Sequence, residues 1–157
     1  MHDTHDIDRL VAALIDLTGF LSSPQRDDAL LRAAGVRLDR ALFPLLVRLA
    51  AEGGLSVGRL ADQVGRDHTT VSRQLAKLEG LGLVRRQGPG PDRRVNAAAL
   101  TAEGEQVAGA IAQARRRLLS EALAAWSPAD RASLADLNRR FVDALVAAAE
   151  PRPTPRG

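Results

Sequence analysis

Residues 55–101 read LSVGRLADQVGRDHTTVSRQLAKLEGLGLVRRQGPGPDRRVNAAALT, and the order of local signals in this stretch decides the fold. Ser56 can cap a short helix whose Val57, Leu60, Ala61 and Val64 share one face. Gly65 stops that helix where a left-handed residue is needed. Asp67 can cap a second helix, with Val71, Leu75 and Leu78 on its buried side. Gly82 breaks it, and Leu83-Val84 starts an extended segment. Gln87-Gly88-Pro89-Gly90-Pro91-Asp92 is a turn by composition. Arg94 to Leu100 reads as a returning strand, although its three alanines have poor strand propensity.

Helix, tight turn, helix, strand, glycine-proline turn, strand is the order of a winged helix-turn-helix. In such modules the second helix enters the major groove of DNA and the first braces it across the backbone. The buried side of the second helix leaves His68, Thr69, Thr70, Ser72, Arg73, Gln74 and Lys77 for its outer face. Short hydroxyls allow close approach to phosphate or a thymine methyl. Arg73 can pair with guanine O6 and N7, and Gln74 with adenine. The helix start at Asp67 also offers free N–H groups to a phosphate. A hairpin alone is equally compatible with a merely solvated polar face, and it is the wing that favours DNA.

The flanks are helical. Ile7, Leu10, Val11, Leu14, Leu17, Phe20 and Leu21 recur at three- and four-residue steps and form one apolar stripe. Ser23-Pro24 opens a second helix running to about Ala34, closed by Gly35. A third covers roughly residues 39–51, with Leu42, Leu45, Leu46 and Leu49 inward and a kink expected at Pro44. After Thr101 a long helix is expected to reach about Trp126, and Ser127-Pro128-Ala129-Asp130 is a capping box that starts another. The predicted fold is mainly α with a small β-wing. Residues 1–38 and 102–149 would be N- and C-terminal helices whose apolar surface, broad at Leu118, Leu119, Leu123 and Trp126, suits either dimerisation helices or packing into a monomeric bundle, with 39–101 the DNA-binding domain and 150–157 a disordered tail.

Apolar residues make up 45% and charged residues 26% of the 157, the balance of a folded soluble protein. No run approaches the ~20 apolar residues that span a bilayer, and the acidic start is unlike a secretory leader, so a cytoplasmic protein without membrane contact is expected. The absence of cysteine excludes disulfides, thiolate zinc sites and thiol redox sensing. The net charge of +3 is unevenly spread. Between Leu55 and Leu100 stand Arg59, Arg66, Arg73, Lys77, Arg85, Arg86, Arg93 and Arg94 against Asp62, Asp67, Glu79 and Asp92, or +4, and the rest of the chain carries −1. Such clustering suits a phosphate-binding footprint. No nucleophile–base–acid arrangement, glycine-rich phosphate loop or metal-ligand spacing supports an enzyme or a cofactor. The terminal His2 and His5 read as solvated rather than metal-ligating, and Arg115-Arg116-Arg117 as a solvated stripe. A winged-helix protein-interaction module without DNA binding is the competing reading, and it would call for a neutral or apolar face over residues 68–94.

Asp92, Arg94, Leu100, Thr101 and Gly104 match the D-x-R-x-x-x-x-x-L-T-x-x-G pattern of the MarR family of bacterial transcription regulators. Val71-Ser72-Arg73-Gln74-Leu75 and Leu78-Glu79-Gly80-Leu81-Gly82-Leu83-Val84 resemble that family's recognition helix and its end. The resemblance is close from about residue 39 to 104 and rests on length and position alone in the flanking helices. It implies a homodimer, with flanking helices interdigitated, that binds double-stranded DNA at a palindromic operator, most often as a repressor. It also implies that a wing arginine reaches the minor groove, with Arg86, Asp92, Arg93 and Arg94 as the wing residues. Asp92 and Arg94, two apart in a strand, share a face, so the carboxylate can hold the guanidinium extended. Thr101 would cap the long helix, with Gly104 on its first turn. Family members often answer to a small aromatic or anionic effector. Phe20, Leu42, Phe43 and Leu46 are the candidate lining residues here, with plain core packing as the equal alternative.

Overall fold

The computed structural model describes residues 3–87 and 97–149. Helices α1 (Asp3–Leu21), α2 (Pro24–Ala34) and α3 (Phe43–Glu52) precede a two-residue strand β1 (Leu55–Ser56). Helices α4 (Val57–Val64) and α5 (His68–Gly80) follow, then strands β2 (Val84–Gln87) and β3 (Ala97–Leu100), and helices α6 (Ala102–Ala122) and α7 (Pro128–Ala149). The chain divides into two compact units, residues 1–116 and 117–157, with the division inside α6. This is the mainly helical, winged helix-turn-helix architecture expected. Asp92, Arg93, Arg94, the glycine-proline turn, His2 and the tail lie outside the described residues. Among the described helices none is long and apolar enough to cross a membrane.

The core of the first unit gathers the inward stripes of four helices: Leu45, Leu46 and Leu49 of α3, Val57 and Leu60 of α4, Val71, Leu75 and Leu78 of α5, and Ile111 of α6. Against them stands a small antiparallel sheet of order β1-β3-β2, with Leu55 opposite Ala98 and Val84 opposite Leu100. The alanines of β3 are tolerated because this strand is central. It is paired on both edges, and Ala98 and Ala99 are buried in a strand that packs against α3, where small side chains fit.

Two boundaries and one strand differ from expectation. Helix α3 begins at Phe43 rather than residue 39, because Asp39 forms its own turn: its Oδ1 accepts from the Ala41 N–H (2.9 Å) and its carbonyl from the Leu42 N–H (2.9 Å). Pro44 therefore occupies the first turn, where no intrahelical N–H is required, and the anticipated kink has no cause. Helix α6 stops at Ala122, not Trp126. Beyond it the chain tightens into i→i+3 bonds, Ala124 N–H to Glu121 and Trp126 N–H to Leu123, before Ser127 caps α7. Strand β1 was not anticipated, since two residues carry no periodicity.

The helices outside this core keep their apolar faces open. Helix α1 leaves Ile7, Leu10, Val11, Ile15, Leu17, Phe20 and Leu21 each at least 40% exposed. Helix α7 buries none of its residues, and Leu137, Leu145 and Val146 are all more than half exposed.

Candidate nucleic-acid interface

The turn between α4 and α5 is built from local hydrogen bonds that the sequence encodes. Ser56 Oγ accepts from the Arg59 N–H (3.2 Å) and opens α4. Gly65 closes it at φ +65°, a conformation that a Cβ would disfavour, and Arg66 N–H then reaches back to the Ala61 carbonyl (3.1 Å). Asp67 opens α5: one carboxylate oxygen accepts from Thr70 N–H (2.8 Å), the other from Thr70 Oγ1 (2.6 Å). These bonds, the Thr70 hydroxyl first, hold the Asp67 carboxyl below its usual range, with a smaller contribution from the charge of Arg73.

This cap alters one expectation. A carboxylate occupies the Thr70 N–H and places negative charge at the start of α5, which works against a phosphate seat at this helix end. It also sets a pH dependence. A carboxyl with a lowered folded-state pKa stabilises the fold above its unfolded pKa, and that contribution is lost as pH falls through the folded value. Asp67→Ala should lower the melting temperature by about 2–4 °C at pH 7. Asp67→Asn should hold the neutral-pH value and flatten this residue's share of the acid-side decline. Circular dichroism melts from pH 7 to pH 3 read both, and equal acid sensitivity of wild type and Asp67→Asn would refute the assignment.

The outer face of α5 holds the predicted set in graded exposure. His68, Thr69, Arg73 and Lys77 are exposed, and Thr70, Ser72 and Gln74 are half-buried. The Thr70 hydroxyl is committed to the cap. The Gln74 amide oxygen is also committed: it accepts from Arg66 Nη1 (2.8 Å), which donates as well to the Ala41 carbonyl (2.6 Å). The sequence does not single out Arg66, because its anchor at Ala41 lies 25 residues away and depends on how the turn packs beside the entrance to α3. On β2, Arg85 is exposed, whereas Arg86 Nε lies 3.7 Å from Glu79 Oε2 and braces the strand against α5. The remaining wing residues, Asp92, Arg93 and Arg94, lie outside the described residues.

The four candidate effector residues differ in burial. Leu42, Phe43 and Leu46 are buried in one core cluster, and Phe20 is exposed on α1 with the Arg26 guanidinium 3.0 Å from its ring centroid. Arg115, expected in a solvated stripe, is half-buried with its guanidinium 5.6 Å from the Phe43 ring centroid. Among the described residues no group of three metal-ligating side chains assembles.

Comparison with known proteins agrees with this geometry. The MarR family profile matches residues 38–95, from the turn before α3 to just short of β3. An HTH-type transcriptional regulator of Bacillus subtilis, YxaD, is 31% identical over 109 residues, covering 69% of this chain and 76% of that protein. A MarR family protein from Bacillus stearothermophilus shares the fold at a TM-score of 0.72 and 24% identity, over 88% of this chain and 97% of that one. NadR, solved in complex with 4-hydroxyphenylacetate, superposes at a TM-score of 0.63 and 25% identity, over 83% and 89% of the two chains. The chain belongs to the MarR family of transcriptional regulators, non-enzymatic factors that act by binding DNA.

Proposed function

We propose that this regulator is a homodimeric repressor that binds a palindromic operator in the cytoplasm and releases it when a small aromatic or anionic effector binds. The observation that carries the dimer is the open apolar surface of α1 and α7. A 19-residue helix with seven large apolar side chains in water gains little from propensity alone, and a second copy of the chain would bury them. A two-fold dimer presents two copies of α5, and hence two half-sites about one helical turn, ~10 base pairs, apart. The exposed cations Arg73, Lys77 and Arg85 favour DNA over the protein-interaction alternative. Support for an effector comes from NadR and its bound 4-hydroxyphenylacetate, and from Arg115 set beside Phe43, a cation and a ring that suit an aromatic carboxylate.

Footprinting across the intergenic DNA beside this gene should reveal two protected half-sites related by a dyad. Sedimentation should show a dimer in the complex. A single protected half-site bound by a monomer would refute the proposal. Within the same complex, Arg73→Ala should relax the preference at its base pair by about tenfold or more. Arg94→Ala, at the position matching the family's wing arginine, should weaken binding to all sequences evenly. Wild-type behaviour of both variants would show that the docking is wrong.

A further inference from the structure

We propose that Arg66 sets the base preference of position 74 by holding the Gln74 amide in one orientation, so that this position prefers guanine over adenine. This rests on the reading of α5 as the recognition helix. A guanidinium has donors and no acceptor, so the Gln74 amide atom 2.8 Å from Arg66 Nη1 must be the oxygen. The amide nitrogen, with its two N–H groups, then faces away from Arg66. A free glutamine reads adenine with both ends of its amide, the oxygen accepting from N6 and the nitrogen donating to N7. With the oxygen drawn back to Arg66, position 74 offers donors alone. Guanine presents two acceptors in the major groove, N7 and O6, and suits a donor-only group. Cytosine presents a donor and is rejected.

The geometry that fixes Arg66 is built into the helix-turn-helix itself. Its backbone is set by Gly65 and by the bond from Arg66 N–H to the Ala61 carbonyl. The same Nη1 donates to the Ala41 carbonyl at 2.6 Å, in the turn ahead of α3. Both side-chain bonds are partly buried, which shields them from competing water. The guanidinium thus spans from the α3 entrance to the middle of the recognition helix, and it is a positioning residue rather than a DNA contact.

Selection from a randomised duplex library by the full chain tests this, comparing wild type with Arg66→Met, Arg66→Lys and Gln74→Glu. Arg66→Met frees the amide, and the guanine-over-adenine ratio should fall about tenfold at one base pair per half-site, with the other positions and the salt dependence unchanged. Arg66→Lys keeps a donor and should retain most of the guanine preference. Gln74→Glu keeps the contact with Arg66 but replaces donors with acceptors, so the same base pair should lose guanine and gain cytosine. A uniform loss across all positions in Arg66→Met, or an unchanged guanine preference in both Arg66→Met and Gln74→Glu, would overturn the assignment while leaving the recognition helix in place. Failure of the wild type to select any sequence would overturn both.

Discussion

Gly104→Ala should destabilise the DNA-binding unit by about 3–5 kcal/mol, because the residue sits where backbone meets backbone. A Cβ built on Gly104 would fall onto the carbonyl oxygen of Leu83 and lie 3.3 Å from Leu100 Cβ. Neither neighbour can rotate aside as a flexible side chain would. The Leu83 carbonyl is also committed, accepting from the Thr101 N–H at 3.0 Å. Thr101 Oγ1 in turn accepts from Gly104 N–H (3.0 Å) and donates to the Gly82 carbonyl (2.6 Å). Moving the start of α6 away to admit the methyl group would stretch this set of bonds, each worth about 1 kcal/mol, in addition to the strain of overpacking. At roughly 2–4 °C per kcal/mol for a chain of this size, the melting temperature should fall by about 10 °C or more. Gly109→Ala is the internal control. It lies further along α6, exposed, with nothing within 4 Å of its added Cβ, and should stabilise by about 0.5–1 kcal/mol through helix propensity. A melting temperature for Gly104→Ala within 2 °C of wild type would mean that the start of α6 is not seated against Leu83 and Leu100 as described.

The same position shows why part of this fold was legible in the sequence. Thr101 and Gly104 are three residues apart, and their hydrogen bond is local, as are those of Ser56 with Arg59, Asp67 with Thr70 and Ser127 with Asp130. Caps of this kind are written in the order of neighbouring residues, and the three-to-four periodicity of Val71, Leu75 and Leu78 marks the buried face equally well. Contacts between elements leave no such trace. Arg66, in the turn before α5, meets Gln74 two turns along that helix and Ala41 25 residues away, so its role emerges only once the packing of the turn is known. Strand β1 exists because β3 offers it an edge, and its two residues have no pattern of their own. Composition gave the positive charge of residues 55–100, but not how it divides between bracing and recognition. Arg66 and Arg86 turn inward to Gln74 and Glu79, whereas Arg73, Lys77 and Arg85 are exposed.

That division yields the steepest expected effect on function. Raising monovalent salt from 50 to 200 mM should weaken operator binding by about 10³-fold, if a dimer neutralises roughly six phosphates. The estimate counts the cations assigned to phosphate rather than formal charge. Lys77 and Arg85, with Arg94 at the position matching the family's wing arginine, supply three per protomer; Arg73 is assigned to a base, Arg59 lies 3.7 Å from Glu52, and Arg66 and Arg86 have partners within the protein. Six cations from two protomers correspond to a slope of log K against log salt near −5. The slope also reports the assembly. In a symmetric dimer Lys77→Ala removes two phosphate contacts and should reduce the slope by about 1.8, against about 0.9 for a monomer on one half-site. Arg66→Met should leave it unchanged, since that guanidinium is spent on Gln74 and the Ala41 carbonyl. Fluorescence anisotropy on the footprinted duplex at five or so salt concentrations would measure all three. A wild-type slope shallower than about −2 would be incompatible with this face of α5 and β2 lying along the phosphate backbone of two half-sites.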